Sequence, residues 1–217
     1  MHTPWNEFVP LLWEGLLVTL EVAIYSAAAA ILLSAAGGLC RVSASPAVQW
    51  LAKIYIGLFR GIPLLVLLIW VYFALPFAGV ELPKVAAAVL AIGLNYGAFG
   101  SEIVRSAIQA VPPGQREAAV ALNFTPAQRM IHIILPQALV RMLPPFGNLL
   151  IELVKATSLI YFITLSDLTY QAMILRNNFL PSTAQIFGLL LVIYFLLSTV
   201  ISTGVGWLER RLTEGRV

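Results

Sequence analysis

The chain has 217 residues, 60% hydrophobic and 11% charged, with 13 Lys and Arg against 10 Asp and Glu. A soluble domain carries about 25% charged residues, so no soluble fold of this length hides so much apolar surface. A mean hydropathy of +0.90 makes lipid the expected solvent. The single cysteine, Cys40, excludes an internal disulfide framework and a multi-cysteine zinc site, and the basic residues stand singly between apolar runs rather than in clusters that grip nucleic acid.

The start of the chain lacks a basic segment and carries Glu7, Glu14 and Glu21, unlike a cleavable signal peptide. Thr3-Pro4 has the form of an N-cap with proline at the first helical position. Five spans follow, each near the ~20 residues that cross a hydrocarbon layer. The first runs from about Leu16 to Leu39 and ends at Arg41. The second runs from about Ile54 to Phe77 and the third from about Val85 to Ser106. The fourth, about Leu143 to Leu165, is expected to be broken by Pro144-Pro145 and contains Glu152 and Lys155; the fifth, Ser182 to Leu208, is uncharged. The expected architecture is an all-α membrane protein forming one domain over residues 1–217.

One set of connections and span ends holds Arg41, Lys53, Arg60, Arg105, Arg116, Arg129, Arg141, Arg210, Arg211 and Arg216; the other holds Lys84 and Arg176. The positive-inside rule then places the N-terminus outside and the C-terminus in the cytoplasm.

Between the third and fourth spans lies a charged island, REAAVALNFTPAQRMIHIILPQA, residues 116 to 138. Val111-Pro112-Pro113-Gly114 turns the chain, and Gln115 to Leu122 is strong helix-forming sequence. Asn123 stands where that helix should stop, since Asn tolerates the left-handed conformation. Thr125, Pro126 and Gln128 then spell a capping box with proline at the first helical position. A second helix is expected to reach about Leu135 and to stop at Pro136. Small side chains at Ala118, Ala119 and Ala121 leave room for another surface. Helices this short are marginal alone, so the island is either a solvated amphipathic loop or a docking element.

Ionisable groups at bilayer depth are functional candidates. Glu152 and Lys155, three apart, share a helix face. They are either a mutually neutralising pair or, with Thr157 and Ser158, the polar lining of a transport path. Asn95 and Tyr96 interrupt the third span and serve either as a helix–helix hydrogen bond or as solute contacts. Glu102 and Arg105 read as a structural pair, and Gly37-Gly38, Gly93, Gly97 and Gly100 as close approaches between helices. The motifs of a phosphate loop, a zinc protease (HExxH) and a serine hydrolase (GxSxG) are missing from the sequence, so no catalytic residue, metal site or cofactor is assigned.

Glu117-Ala118-Ala119 followed by Ile133-Ile134-Leu135-Pro136 resembles the EAA loop of permease subunits in ATP-binding-cassette (ABC) importers. The stretches at 59–76, 101–119 and 135–159 and the terminal LERRL at 208–212 resemble the polar amino acid branch of that family, with its histidine, glutamine and arginine permeases. The resemblance implies a type I importer permease fold in the bacterial cytoplasmic (inner) membrane. It also implies docking through Glu117, Ala118, Ala119, Asn123, Ile133, Leu135 and Pro136 onto a separate ATPase dimer, which binds the ATP. The other implied partners are a periplasmic or lipid-anchored solute-binding protein and a second permease subunit, here favoured as a related heterodimer. Two departures stand out. Asn123 occupies the motif's usual glycine position, and Lys155-Ala156-Thr157-Ser158 replaces a usual Lys-Asp-Thr-Ser. Loss of that acidic residue disfavours a strongly cationic solute and fits a polar amino acid or a zwitterionic compatible solute such as ectoine, which one branch handles. The competing class is a stand-alone ion-coupled carrier or channel, against which the absence of an inverted repeat argues.

Overall fold

The computed structural model describes residues 5–213; the Thr3-Pro4 cap lies outside them. Among the described residues, four helical stretches are long and apolar enough to cross a membrane: Phe8–Arg41, Lys84–Gln109, Pro126–Ile163 and Leu180–Leu212. A fifth crossing is possible only as a bent pair, Pro46–Gly61 with Leu64–Ala78, which meet at 100°.

Helix α1 (Trp5–Arg41) extends ahead of the apolar span expected from Leu16 and carries Pro10 without ending. Helices α2 (Pro46–Gly61) and α3 (Leu64–Ile69) replace the single second span expected from Ile54 to Phe77. Proline is the cause. Pro63 has no N–H to continue the helix and pushes Ile62 to an extended backbone, φ −89° and ψ 128°. After α3 the chain continues as a π-turn, Trp70–Ala74, and a 3-10 turn, Leu75–Ala78.

Helix α4 (Lys84–Gln109) is the hub, packed against α1, α2, α3 and α7. The glycines expected at close approaches lie along its seam with α1. A Cβ on Gly93 would stand 2.9 Å from that of Ala29, and one on Gly100 would collide with the Ser34 hydroxyl. The main core, including Val22, Leu68, Ala87, Ala91, Ile92, Leu153 and Ile160, sits between α1, α3, α4 and α7.

Helix α5 (Pro113–Ala121) and the single turn α6 (Pro126–Arg129) form the island. The chain does not stop at Pro136 as expected. It passes through a π-turn, Met130–Ile134, straight into α7 (Leu135–Ala156). Pro136 has no N–H to donate back along the helix, and the wider π-turn just ahead of it accommodates the loss, closing through the Leu135 N–H to the Met130 carbonyl. Nor do Pro144 and Pro145 break α7, which carries both. The helix gives way only at Thr157, where it tightens to a 3-10 stretch, Thr157–Ile163.

The connection between the fourth and fifth expected spans contains α8 (Leu168–Asn178), capped by Asp167 and packed on α1 and α9. A 3-10 turn, Leu180–Ser182, leads into α9 (Thr183–Thr213). Helix α9 packs on α7 and α8, and only 6% of its most apolar window is buried within the chain.

Candidate functional site

Among the described residues, the sequence-predicted site residues fall mainly in two regions: the island, and a patch where α7 packs on α4 and α9. In the island, α5 ends as the sequence leads one to expect. Asn123 is left-handed at φ 57°. Its N–H donates to the Val120 carbonyl at 2.9 Å, and the Phe124 N–H donates to the Ala119 carbonyl at 3.0 Å. These are the paired bonds of a Schellman cap, which satisfy carbonyls that α5 would otherwise leave open. The capping box follows directly. The Gln128 N–H donates to the Thr125 hydroxyl, and the Thr125 N–H donates to Gln128 Oε1 at 2.9 Å.

The free face of the island shows Glu117 and Ala118, flanked by exposed Val120, Leu122 and Ile131. Ala119 departs from the expectation that it faces a partner. It is 1% exposed, turned into the chain where α5 packs on the Met130–Ile134 turn. Ile133, Leu135 and Pro136 are half-buried; Leu135 packs against the cluster of Val104, Ile108, Val111, Ile134 and Met142 that joins the end of α4 to α7.

At the same end of the bundle, Glu102 accepts from Arg105 at 2.7 Å, as its spacing suggests, and also from Arg41 of α1 at 3.4 Å. Arg41 was legible only as a topology signal, because its partner lies 61 residues away in the chain.

In the second region, Glu152 and Lys155 face one another at 3.5 Å and are 63% and 54% exposed at their side chains. Lys155 lines a cavity of about 600 Å³ with Tyr194, Ser198, Thr199, Ser202 and Thr203 of α9. Tyr96 donates its hydroxyl to the Glu152 carbonyl at 3.0 Å, tying α4 to α7 beside the pair. Ser158 is half-buried and donates to the Lys155 carbonyl at 2.8 Å. Thr157 is fully buried and donates to the Val154 carbonyl. Asn95 is 5% exposed; its amide donates to the Phe59 carbonyl at 2.7 Å and the Ile62 carbonyl at 3.3 Å. Those two carbonyls are left open by the bend at Pro63, so in this conformation the Asn95 amide closes the broken crossing. Arg60, counted from sequence with the basic end, instead stacks over Phe99 at 5.1 Å. Phe99 lies ten residues, about 15 Å, inward from the last residue of α4.

Burial pushes the Asp167 carboxyl, ahead of α8, up to about 6 against the pull of the Tyr170 and Thr169 N–H groups.

Residues 28–214 match the family of binding-protein-dependent transport system inner membrane components. The chain belongs to this family. It is 43% identical to a probable amino-acid ABC transporter permease of Sinorhizobium fredii, y4tF, over 98% of this chain and 91% of that one. The glutamine transport system permease GlnP of Escherichia coli is 35% identical over 94% of each chain. The arginine transport system permease ArtQ of Bacillus subtilis is 37% identical over 94% of this chain and 93% of its own. Among solved structures, a crystal structure of an amino acid ABC transporter with histidines superposes with a TM-score of 0.88 at 33% identity, covering 97% of this chain and all of that one. The MetNI methionine ABC transporter in an inward-facing conformation shares the fold at a TM-score of 0.80 and 21% identity, covering 98% and 99%. Membership places the chain in the inner membrane as a multi-pass permease.

Proposed function

We propose that this chain forms half of the translocation path of an ATP-driven amino acid importer and receives its drive from a separate ATPase through α5. The island carries the reading. A chain otherwise built for lipid closes a helix with a Schellman cap, restarts it with a capping box, and leaves Glu117, Val120, Leu122 and Ile131 uncovered on the result. Such a surface has no use in a stand-alone carrier. The basic residues around it favour the cytoplasmic side for this end, with the N-terminus outside. The chain itself holds no catalytic residue or cofactor in this reading; ATP belongs to the partner.

A second permease subunit is needed because Glu152 and Lys155 stand exposed at bilayer depth, where lipid contact is costly. Covered by a second subunit, the pair, Lys155 with the hydroxyls of α9, and Ser158 form one wall of a polar path. In this reading Tyr96 and Glu152 face the solute from α4 and α7, while Asn95 and Thr157 hold that wall in shape. A related but different second subunit is favoured, and a solute-binding protein delivers the cargo. Ala156, where the family's motif is usually acidic, leaves the wall without an extra anion, which favours a neutral polar amino acid or a compact zwitterion such as ectoine over a cationic one.

The decisive experiment is affinity purification of the chain from its own host's membranes. The ATPase, the second permease and the binding protein should co-purify, and Glu117→Ala should release the ATPase. Preferential uptake of arginine or lysine by the reconstituted complex would overturn the reading of the solute. Retention of the ATPase by a variant with Glu117→Arg and Leu122→Asp would overturn the docking surface.

A further inference from the structure

We propose that Arg116 and Arg141 clamp the C-terminal carbonyls of α4, so that α5, the end of α4 and α7 move as one body when α5 is displaced. The proposal rests on the reading of α5 as the element that receives the drive. Only residues 110–112 stand between α4 and α5. Left alone, Ala110 and Val111, ahead of the stiff Pro112-Pro113, would be the place where the chain gives, and a push on α5 would be absorbed there. The last carbonyls of a helix have no partner within it.

Here they are taken by side chains from both neighbouring elements. Arg116 of α5 donates to the Ile108 carbonyl at 2.8 Å. Arg141 of α7 reaches back 31 residues to donate to the Ala110 carbonyl. Two guanidinium groups at one helix C-terminus also oppose the negative end of its dipole. Beneath them the buried cluster of Val104, Ala107, Ile108, Val111, Ile134, Ala138 and Met142 fills the space between α4, the π-turn and α7.

The same two helices are joined a second time, by the Tyr96 hydroxyl on the Glu152 carbonyl. Tyr96 lies 14 residues, about 21 Å, from Ala110 along α4. Fastened at two separated points, α4 and α7 have no free pivot between them. A displacement of α5 therefore arrives at Glu152 and Lys155 as movement of the whole pair. Arg116 and Arg141 are positioning residues in this scheme; neither touches solute or nucleotide.

The test needs no knowledge of the solute. In a Cys40→Ser background, Ser158→Cys reports the path by its rate of maleimide labelling in the purified complex, with and without ATP and vanadate. With both arginines present, nucleotide trapping should change that rate several-fold. The Arg116→Gln, Arg141→Gln double variant should still co-purify the ATPase but lose at least four-fifths of the change. The Arg116→Lys, Arg141→Lys pair keeps a charge and a donor at each carbonyl and should retain at least half of it. An unimpaired response in the glutamine pair overturns the clamp. So does loss of the ATPase from that pair alone, since the arginines would then serve assembly rather than transmission. A complex with both arginines that carries its ATPase yet shows no nucleotide response overturns the coupling reading itself.

Discussion

The backbone N–H of Phe124 donates to the Ala119 carbonyl at 3.0 Å, and this single bond fixes the angle between the two arms of the island. It forms only because Asn123, between them, is left-handed at φ 57°. Glycine enters that region freely, whereas a β-branched residue is a genuine outlier there. Asn123→Gly should therefore keep transport and leave the melting temperature within about 2 °C, a change of a few tenths of a kcal/mol. Asn123→Val should cost about 1–2 kcal/mol at the turn. Its effect should fall on solute-stimulated ATP hydrolysis and spare solute binding. Normal stimulation in the valine variant would refute the role of the turn.

Much of this was legible because it is local. Asn123 and the Thr125–Gln128 box involve residues within a few positions of one another, and each signal has one low-energy solution. Four of the five apolar stretches are equally plain, since lipid admits few alternatives. What the sequence conceals is where a proline acts. Pro63 turns the chain through 100°, but Pro144 and Pro145 leave α7 intact and Pro136 sits at its start. Residue type does not separate these cases; the fate of the freed carbonyls does. Those beside Pro63 are taken by Asn95, 33 and 36 residues away. That pairing exists only in the fold, as do Arg41 on Glu102 and the inward turn of Ala119.

Thr164 is the second non-glycine residue with positive φ among those described, at φ 57° and ψ 31°. A threonine there is strained, and Lys84 holds it: its Nζ lies 2.9 Å from both the carbonyl and the hydroxyl oxygen. Thr164→Val keeps the strain and deletes one of the two bonds, and should cost about 1 kcal/mol. Thr164→Asn keeps a side-chain oxygen and relaxes the backbone, and should gain about 1 kcal/mol. Thermal unfolding of the two variants in detergent should bracket the parent chain. The same order of stabilities in a Lys84→Met background, with undiminished spacing, would show that the lysine does not hold this joint.

The Glu152–Lys155 pair offers a sharper question, because a pair that only neutralises itself does not care which member comes first. Glu152→Gln should lower transport about tenfold or more, equivalent to at least 1.4 kcal/mol, with the complex still assembled. The exchange Glu152→Lys with Lys155→Glu restores a salt bridge at the same spacing. If the carboxylate faces solute beside Tyr96, the exchange should not restore transport. Recovery to more than half the parent rate would make the pair purely structural.

Asp167 is fully buried, yet it caps α8, accepting from the Tyr170 N–H at 2.9 Å and the Thr169 N–H at 3.2 Å. Those donors favour the carboxylate, and burial opposes them more strongly, raising the carboxyl from 3.8 to about 6. The sign of the consequence follows by linkage. Between these values the folded chain holds a proton that the unfolded chain has released, so stability falls as pH rises. The contribution is complete below about pH 3.8 and is lost once pH passes about 6. Its size is on the order of 1–3 kcal/mol. Asp167→Asn separates titration from capping, because Asn is as good an N-cap as Asp. The melting temperature of the parent chain should decline between pH 4.5 and 6.5, conditions chosen to span about two units, by several degrees more than that of the variant. Parallel curves for the two would mean that the carboxyl titrates alike in the folded and unfolded chain, and a parent curve rising with pH relative to the variant would mean that the N–H donors outweigh burial.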